Sequence, residues 1–366
     1  MRKLKVLISG GGTGGHIFPA IAIAKAIEKQ YSYVDFLFVG AKDRMEMDKV
    51  PSEGYKIIGL WISGLQRGFD KKNLVFPFKV IHSVLKAKRI IKDFKPNLAI
   101  GTGGYASAPL IYSAARSGVP SLIQEQNSYP GISNKILGRF VDKICVAYDH
   151  MEKFFPSAKI ESTGNPIRKD ILGFEKKRKV AQELFQINKF KPTILVIGGS
   201  LGALTINNAI ADNIQQFNVI GVNLIWQTGT SFQDKALKCV TTLNVKGINT
   251  YPFIKEMDKA YAAADIIISR AGAIAISELC CIGKPVILVP SPNVAENHQY
   301  KNAQSLVNKK AALLVEDAML SRKLVKTVQA LLLDEDLKNL LCTNIKKIAI
   351  KDAADRIAKI ALDLVE

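Results

Sequence analysis

A glycine-rich turn near the N-terminus carries the first residues with a recognisable chemistry. The segment SGGGTGGHIFPA (9–20) follows the strand-like run KLKVLI and precedes IAIAKAIEK, whose apolar residues have helical spacing. A strand, a glycine-rich turn and a helix form a cradle for phosphate, because bare backbone amides and a helix N-terminus favour an anion. The crowded glycines and the following His16 differ from the dinucleotide pattern G-x-G-x-x-G, so another ligand is expected.

Further polar or glycine-rich segments follow the other predicted strands. Ligands of parallel α/β sheets bind at the carboxyl ends of the strands, so these segments would lie at one end of each sheet. One such loop often only turns the chain, but several of them, with GTGG at both 12–15 and 101–104, indicate a phosphate-rich ligand. The segments are 101–107, 125–134, 163–168, 198–203, 253–257, 270–278 and 291–303.

The segment SRAGAIAISEL (269–279) contains the most chemistry. A strand is predicted to end at Arg270 and a helix to begin near Ala273, so that the helix N-terminus would hold a diphosphate. Glu278 lies inside this helix, where a carboxylate can accept both hydroxyls of a ribose. Two plainer interpretations stay open: Glu278 as a solvated helix acid, and Arg270 in a salt bridge without phosphate.

A second predicted helix start, AENHQYKNA (295–303), carries two amide side chains. Gln299 and Asn302 are three residues apart and would share a helix face. Amides both donate and accept hydrogen bonds, which suits sugar hydroxyls, although the same two side chains could simply face solvent.

Strand-like and helix-like runs alternate along the chain, which predicts parallel sheets with helices on both faces. The pattern restarts after a basic segment, and VIGGSLGAL in the second half corresponds to ISGGGTGGH in the first. We therefore expect an α/β protein with two doubly wound, Rossmann-like domains facing a central cleft: 1–164, a linker at 165–191, and 192–366. The packing of the last helix-like run, 338–365, on either domain is left open.

Composition limits the class of protein and its partners. The chain has 366 residues, 48% of them hydrophobic, and a net charge of +19, which suits an anionic lipid, nucleic acid or acidic substrate. Five scattered cysteines and four histidines predict free thiols in a reducing cytosol and no metal site. Neither a secretion signal nor a membrane-spanning run is expected.

The motifs GGGTGGHIFPA, GTGGYAS, TGNPIR, GGSLGA and SRAGAIAISEL, with EQN…GISNKIL and SPNVAENHQYKNA, resemble the MurG family of bacterial cell-wall synthesis. The resemblance implies a GT-B fold and an inverting hexosyltransferase without cofactor. Members transfer GlcNAc from UDP-GlcNAc to the C4 hydroxyl of MurNAc in undecaprenyl-diphosphate-MurNAc-pentapeptide (lipid I), which gives lipid II. The first domain would serve the acceptor and the membrane, and the second would bind UDP-GlcNAc.

The resemblance also implies roles for matching positions. Arg168 would bind a phosphate oxygen, Ser200 the diphosphate and Ile254 the uracil through its backbone. Helix residues 273–278 would supply amides, with Glu278 on the ribose. The implied donor site comprises Thr13, Gly14, Gly15, Asn127, Arg168, Ser200, Ile254, Ala273, Ile274, Ala275, Ile276, Ser277, Glu278, Gln299 and Asn302.

An inverting displacement needs a general base for the attacking hydroxyl. His16 is the candidate, since histidine titrates near neutral pH, and Glu125 is the second candidate. Alternatively, His16 orients its loop or binds the acceptor diphosphate. The string DED (334–336) resembles a metal-binding D-x-D, but it lies between helix-like runs and is interpreted as a helix cap, so no metal is expected.

A basic amphipathic stretch at 65–95 suggests the membrane surface, with Lys71, Lys72, Lys79 and Lys86 facing the bilayer. An ordinary half-buried helix is the alternative. The resemblance implies a peripheral protein on the cytoplasmic side of the inner membrane, with a role in cell shape and division and contacts with other cell-wall or division proteins.

Two other functions stay open. A UDP-GlcNAc 2-epimerase would share the fold and the donor but would need no acceptor. A nucleic-acid-binding module is suggested by charge alone, and we expect no nucleic-acid partner, because no RNA-binding aromatic signature or helix-turn-helix pattern stands out.

Overall fold

The chain forms two compact units in a computed structural model that describes residues 3–64, 74–168, 171–243, 247–294 and 297–365. The first unit consists of Met1–Ile167 with Asp352–Glu366, and the second of Arg168–Lys351. The chain therefore passes between the units twice.

The first unit is built on a parallel sheet of seven described strands in the order β3-β2-β1-β4-β5-β6-β7. The strands are β1 (Leu4–Gly10), β2 (Val34–Ala41), β3 (Lys56–Leu60), β4 (Leu98–Gly103), β5 (Ser121–Glu125), β6 (Lys143–Val146) and β7 (Ile160–Ser162). The helices are α1 (Gly14–Gln30), α2 (Glu46–Ser52), α3 (Phe76–Phe94), α4 (Ser107–Arg116) and α5 (Ile132–Leu137). Strand order reverses between β1 and β4, which brings the loops after these two strands together.

The second unit has six described parallel strands in the order β10-β9-β8-β11-β12-β13. They are β8 (Thr193–Ile197), β9 (Asn223–Gln227), β10 (Ile248–Tyr251), β11 (Ile266–Ser269), β12 (Val286–Leu288) and β13 (Leu313–Leu314). The helices are α6 (Arg178–Leu184), α7 (Leu204–Asp212), α8 (Ile214–Ile220), α9 (Gln233–Thr242), α10 (Met257–Ala263), α11 (Ala273–Ile282), α12 (His298–Asn308), α13 (Leu320–Leu333) and α14 (Glu335–Lys347). The prediction of two parallel-sheet α/β domains is confirmed.

The central strands are buried on both faces because helices cover both sides of each sheet. In β1, Val6, Leu7 and Ile8 are fully buried, and Val6 and Ile8 belong to a different apolar cluster from Leu7. Such continuous apolar runs are typical of parallel strands. The rigid strands fix the positions of the loops at their carboxyl ends.

The last helix, α15 (Ala353–Asp363), belongs to the first unit. The sequence predicted a single helix-like run over 338–365. The run is interrupted after α14, and α15 packs on α1 through the fully buried Ile357, Ala358 and Ala361. Gln30 Nε2 adds a hydrogen bond of 3.0 Å to the Asp355 carbonyl.

Residues 171–191, expected as part of a linker, are largely folded into the second unit. Phe174 and Phe185 are buried beside α6, and α6 packs on α10. Lys177 Nζ lies 2.6 Å from Asp258 Oδ2, and Arg178 Nη2 lies 2.8 Å from Asp265 Oδ1. The basic composition that suggested a linker instead supplies ion pairs to this unit.

The DED string caps a helix. Asp334 Oδ1 accepts a hydrogen bond of 2.8 Å from the Leu337 backbone N–H at the start of α14. The capping interpretation is therefore confirmed. Among the described helices, none combines the length and the apolar character needed to cross a bilayer.

Candidate active site

The glycine-rich turn after β1 is held by a carboxylate that the sequence analysis missed. The Gly12 N–H donates to Glu46 Oε2 at 3.0 Å, and Glu46 is fully buried. One amide of the expected phosphate cradle is thus already bonded within the protein. Nothing in the local sequence indicates this role of Glu46, because its partners are backbone N–H groups of the loop after β1 and of the end of β2.

His16 lies in the first turn of α1, with its ring fixed by the same turn. Its Nδ1 is 3.0 Å from the Gly11 carbonyl oxygen and 3.2 Å from Thr13 Oγ1. A carbonyl can only accept, so in the neutral ring Nδ1 carries the proton and Nε2 carries the lone pair. A Cβ at Gly103, whose φ is +98°, would lie 2.8 Å from His16 Cδ2, so glycine is needed there. Thr13, Gly14 and Gly15 precede the ring at the partly exposed start of α1.

Glu125, the second candidate base, lies at the end of β5 and is buried. It accepts hydrogen bonds from the Asn127 backbone N–H (3.0 Å), Asn127 Nδ2 (3.2 Å), the Gly131 N–H (3.2 Å) and Asn134 Nδ2 (2.8 Å). Burial raises the pKa of Glu125 although these hydrogen bonds oppose the rise. The carboxylate thereby organises the loop that carries Asn127.

In the second unit, Gln227 links two loops of the expected donor site. Its Nε2 donates to the Gly199 carbonyl at 2.9 Å, and its Oε1 accepts from the Ile254 N–H at 2.9 Å. Ser200 is exposed in the tight turn that Gly199 begins. Gln227 therefore fixes the position of the Ser200 turn relative to the Ile254 backbone. The sequence did not predict this role of Gln227.

Helix α11 begins after Gly272, as predicted, and carries Glu278 in its second turn. Glu278 is 6% exposed and accepts from Arg168 Nε (2.9 Å) and Nη2 (3.2 Å) and from the Tyr261 hydroxyl (3.3 Å). The interpretation of Glu278 as a solvated helix acid is therefore wrong. Arg168 and Glu278, expected on phosphate and ribose, are bonded to each other in this structure.

The other residues of α11 have different environments. Ala273 and Ile276 are buried, whereas Ile274, Ala275 and Ser277 are partly exposed. Ser277 Oγ donates back to the Ala273 carbonyl at 3.1 Å. The backbone N–H groups of the first turn, rather than these side chains, would serve an anion.

The two amides of α12 do not share an open face. Gln299 Oε1 accepts from the Ser291 N–H at 2.9 Å and is partly exposed. Asn302 is fully buried, and its Nδ2 lies 3.5 Å from the Ala271 carbonyl. Asn302 therefore supports the segment that leads into α11. Residues 295 and 296 of this motif lie outside the described residues.

The sequence left open whether Arg270 forms a salt bridge without phosphate, and the structure contains such a salt bridge. Its Nη1 lies 2.5 Å from Asp317 Oδ1 and 3.2 Å from the Val289 carbonyl, and its Nη2 lies 2.6 Å from Thr205 Oγ1. These contacts tie the end of β11 to the start of α7.

Two family models cover most of the chain. The glycosyltransferase family 28 N-terminal domain matches residues 6–146, and the C-terminal domain of that family matches residues 193–357. The chain belongs to glycosyltransferase family 28. Its predicted class, a hexosyltransferase, agrees with relatives that are named N-acetylglucosamine transferases.

This family 28 glycosyltransferase is 50% identical over 354 residues to a Christiangramia forsetii protein and 51% identical over 364 residues to a Cytophaga hutchinsonii protein. The alignments cover 97% and 100% of this chain and 96% and 98% of the relatives. Both relatives are named UDP-N-acetylglucosamine–N-acetylmuramyl-(pentapeptide) pyrophosphoryl-undecaprenol N-acetylglucosamine transferase. The resemblance stated from the motifs is confirmed.

A solved MurG structure agrees with this assignment. Acinetobacter baumannii MurG has a TM-score of 0.78 and 27% identity to the family 28 chain, with coverage of 98% of this chain and 99% of that one. A Neisseria meningitidis UDP-GlcNAc 2-epimerase bound to UDP-GlcNAc has a TM-score of 0.70, 14% identity and coverage of 98% and 100%. At that identity the likeness to the epimerase concerns the fold alone.

Proposed function

We propose that this glycosyltransferase transfers GlcNAc from UDP-GlcNAc to the C4 hydroxyl of MurNAc in lipid I and so forms lipid II. The observation that carries the proposal is the identity of about half of all residues, over nearly the full chain, to relatives named for this transfer. The site geometry is consistent with it, since an oriented imidazole lies in one unit and a helix N-terminus suited to a diphosphate lies in the other.

In the first unit, His16 acts as the general base. The Gly11 carbonyl holds the proton on Nδ1, so Nε2 can take the proton of the acceptor hydroxyl. The C4 oxygen then attacks C1 of GlcNAc while the bond from C1 to the diphosphate oxygen breaks. UDP leaves from the opposite face, and the α-linked donor gives a β-1,4 product.

In the second unit, the first turn of α11 stabilises the negative charge that grows on the leaving diphosphate. Glu278 accepts the ribose hydroxyls, and Arg168 exchanges its carboxylate partner for a phosphate oxygen. Ile254 reads the uracil, with its backbone held by Gln227. Ser200 bonds the diphosphate, and Gln299 binds GlcNAc hydroxyls.

The test combines UDP-GlcNAc with a short-chain lipid I analogue and identifies the product by mass spectrometry. We expect a disaccharide product and UDP release that depends on the acceptor. The variant His16→Asn should lower kcat by about 10²–10⁴-fold, the range of general acid–base catalysis. UDP release without acceptor, together with ManNAc formation, would favour the epimerase and overturn the proposal.

The proposed place of action is the cytoplasmic face of the inner membrane, where the protein would also meet other cell-wall and division proteins. Helix α3 supports membrane attachment, because four large apolar side chains on it or just before it face solvent and exposed cations follow them. The apolar residues are Leu74 (75% exposed), Phe78 (68%), Ile81 (59%) and Leu85 (62%). The cations are Lys88, Arg89 and Lys92.

Two of the four lysines expected at the bilayer point elsewhere. Lys79 Nζ donates to Ser63 Oγ at 3.0 Å, and Lys86 Nζ donates to the Gly59 carbonyl at 2.9 Å. Burial lowers the pKa of Lys86. Lys71 and Lys72 lie outside the described residues. The proposed attachment therefore relies on the apolar stripe and the later cations.

A further inference from the structure

Glu46, at the start of α2, is a buried carboxylate to which the proposed reaction gives no role. Its Oε2 accepts from the Gly12 N–H at 3.0 Å, and its Oε1 accepts from the Ala41 N–H at 2.9 Å. A buried carboxylate is costly unless its oxygens are hydrogen-bonded, and here two backbone amides meet that need. Glu46 thus joins the loop after β1 to the end of β2.

The peptide group between Gly11 and Gly12 connects Glu46 to His16. Its N–H donates to Glu46, and its carbonyl oxygen lies 3.0 Å from His16 Nδ1. Hydrogen bonds arranged in series through one amide polarise one another. The carboxylate therefore makes the Gly11 carbonyl a stronger acceptor for the Nδ1 proton.

Three glycines leave the space that this arrangement occupies. A Cβ at Gly11 would lie 2.1 Å from Glu46 Oε1, and one at Gly40 would lie 2.5 Å from Glu46 Cγ. A Cβ at Gly104, whose φ is +90°, would lie 2.3 Å from the Gly11 carbonyl oxygen. The backbone of the loops after β1 and β4 and of the end of β2 thus closes around the carboxylate and the connecting peptide.

We propose that Glu46 is a positioning residue for the transfer reaction. Through the Gly11–Gly12 peptide it holds His16 in the Nδ1–H tautomer, which keeps the lone pair on Nε2 for the acceptor hydroxyl. The inference rests on the proposed role of His16 as base. In a catalytic triad the carboxylate bonds the imidazole directly. Here the Gly11–Gly12 peptide lies between them, so the neutral Gly11 carbonyl, rather than a charged carboxylate, orients the imidazole.

The test is the variant Glu46→Gln, whose side-chain amide can accept from only one of the two backbone N–H groups. We expect kcat with UDP-GlcNAc and a soluble lipid I analogue to fall by about 10- to 100-fold, up to the lower end of the contribution of a general base. The KM for UDP-GlcNAc should change less than kcat, because the donor contacts proposed for α11, Ile254 and Gln299 lie in the second unit.

Long-range ¹H–¹⁵N spectra of histidine report the tautomer directly, and the chain has only four histidines. The wild-type His16 should be in the Nδ1–H form, and Glu46→Gln should shift it towards the Nε2–H form. The variant Ile27→Val, in the fully buried core of α1, is the control for lost stability and should keep both kcat and the tautomer.

An Nε2–H tautomer of His16 in the wild-type protein would overturn the proposal even if Glu46→Gln failed to fold. Wild-type kcat in a folded Glu46→Gln variant would also overturn it, as would a fall in kcat with an unchanged tautomer. If His16→Asn keeps its kcat, the base role is what fails, and the tautomer comparison still decides whether Glu46 orients the ring.

Discussion

Arg168 and Glu278 form an ion pair with each other in the structure. The proposed reaction assigns them to different parts of the donor. The guanidinium spans both carboxylate oxygens, and the Tyr261 hydroxyl adds a third bond to Oε2. A bidentate pair of this kind fixes a buried carboxylate in one rotamer. In the proposed reaction, donor binding would therefore exchange hydrogen-bond partners at Glu278.

The variant Glu278→Gln tests this exchange. It removes the charge from the ribose contact, and we expect UDP-GlcNAc affinity to fall by about 1–3 kcal/mol, as for a hydrogen bond to a charged group. Isothermal calorimetry measures the effect. Tyr261→Phe keeps the carboxylate and removes one neutral hydrogen bond, so it should lower UDP-GlcNAc affinity by only about 0.5–1.5 kcal/mol. Wild-type affinity in Glu278→Gln would remove this residue from the donor site.

Glu125 predicts a pH dependence of stability. Burial raises its pKa above the usual value of 4.5, so the folded chain binds this proton more tightly than the unfolded chain. Stability from this group is therefore lost as the pH rises from 4.5 towards the raised pKa. Glutamine at this position cannot titrate. As the pH rises through that window, the Tm of the wild type should therefore fall relative to the Tm of Glu125→Gln.

Thermal unfolding at a series of pH values measures this difference in Tm. The control is Leu122→Val in the same strand, β5, which is fully buried and cannot titrate. Its difference from wild type should be independent of pH. A pH-independent difference for Glu125→Gln as well would contradict the assignment.

At the scale of the element, α3 has one buried face, and within the described residues its other face carries exposed large apolar side chains. Ser83, Ala87, Ile90 and Ile91 are buried, whereas the stripe of Leu74, Phe78, Ile81 and Leu85 faces solvent. Large exposed apolar surfaces often mark interaction sites, and this stripe is the surface that the proposed membrane attachment would use. The later cations of α3 would meet anionic headgroups.

The double variant Phe78→Ser/Ile81→Ser should release the protein from anionic vesicles, because it removes about half of the stripe. Co-sedimentation measures binding, and turnover of a water-soluble acceptor should stay near the wild-type value. The control is Val219→Ser in α8, an apolar residue of the second unit that is even more exposed (84%). Undiminished sedimentation of the double variant would show that α3 is not the contact.

The elements were predictable because apolar runs, turn residues and helical spacing are local signals. The loops after β1 and β11 were also located correctly. The bonds within the site were not predictable, since Glu278 meets Arg168 and Glu46 meets Gly12 across long stretches of sequence. The burial of Asn302 was not predictable for the same reason, since its partner, Ala271, precedes it by 31 residues.

At the scale of the whole molecule, the first unit is assembled from both ends of the chain. Helix α15 covers α1 with three fully buried side chains, whereas the second unit is one continuous segment. The stability of the first unit therefore depends on residues that follow the whole of the second.

The variant Ile357→Ala should lower the stability of the first unit by about 2–5 kcal/mol, the usual cost of truncating a buried isoleucine. Hydrogen exchange followed by mass spectrometry should show faster exchange in α1 and β1, and unchanged exchange in β8 and β11. The exposed neighbour Lys359→Ala, on the same helix, is the control. Equal protection of α1 in Ile357→Ala and wild type would contradict this role of α15.

The position of α15 also determines the order in which the protein can mature during synthesis. The ribosome releases residues 3–167 first, but α1 keeps an uncovered apolar face until residues 353–363 emerge. The second unit, although translated later, has all of its residues by Lys351 and can complete its core before the first. Domains usually fold in the order of translation. Here the nascent first unit, with the apolar stripe at α3 already exposed, can complete its core only when α15 emerges, and a truncated nascent chain would be a substrate for chaperones.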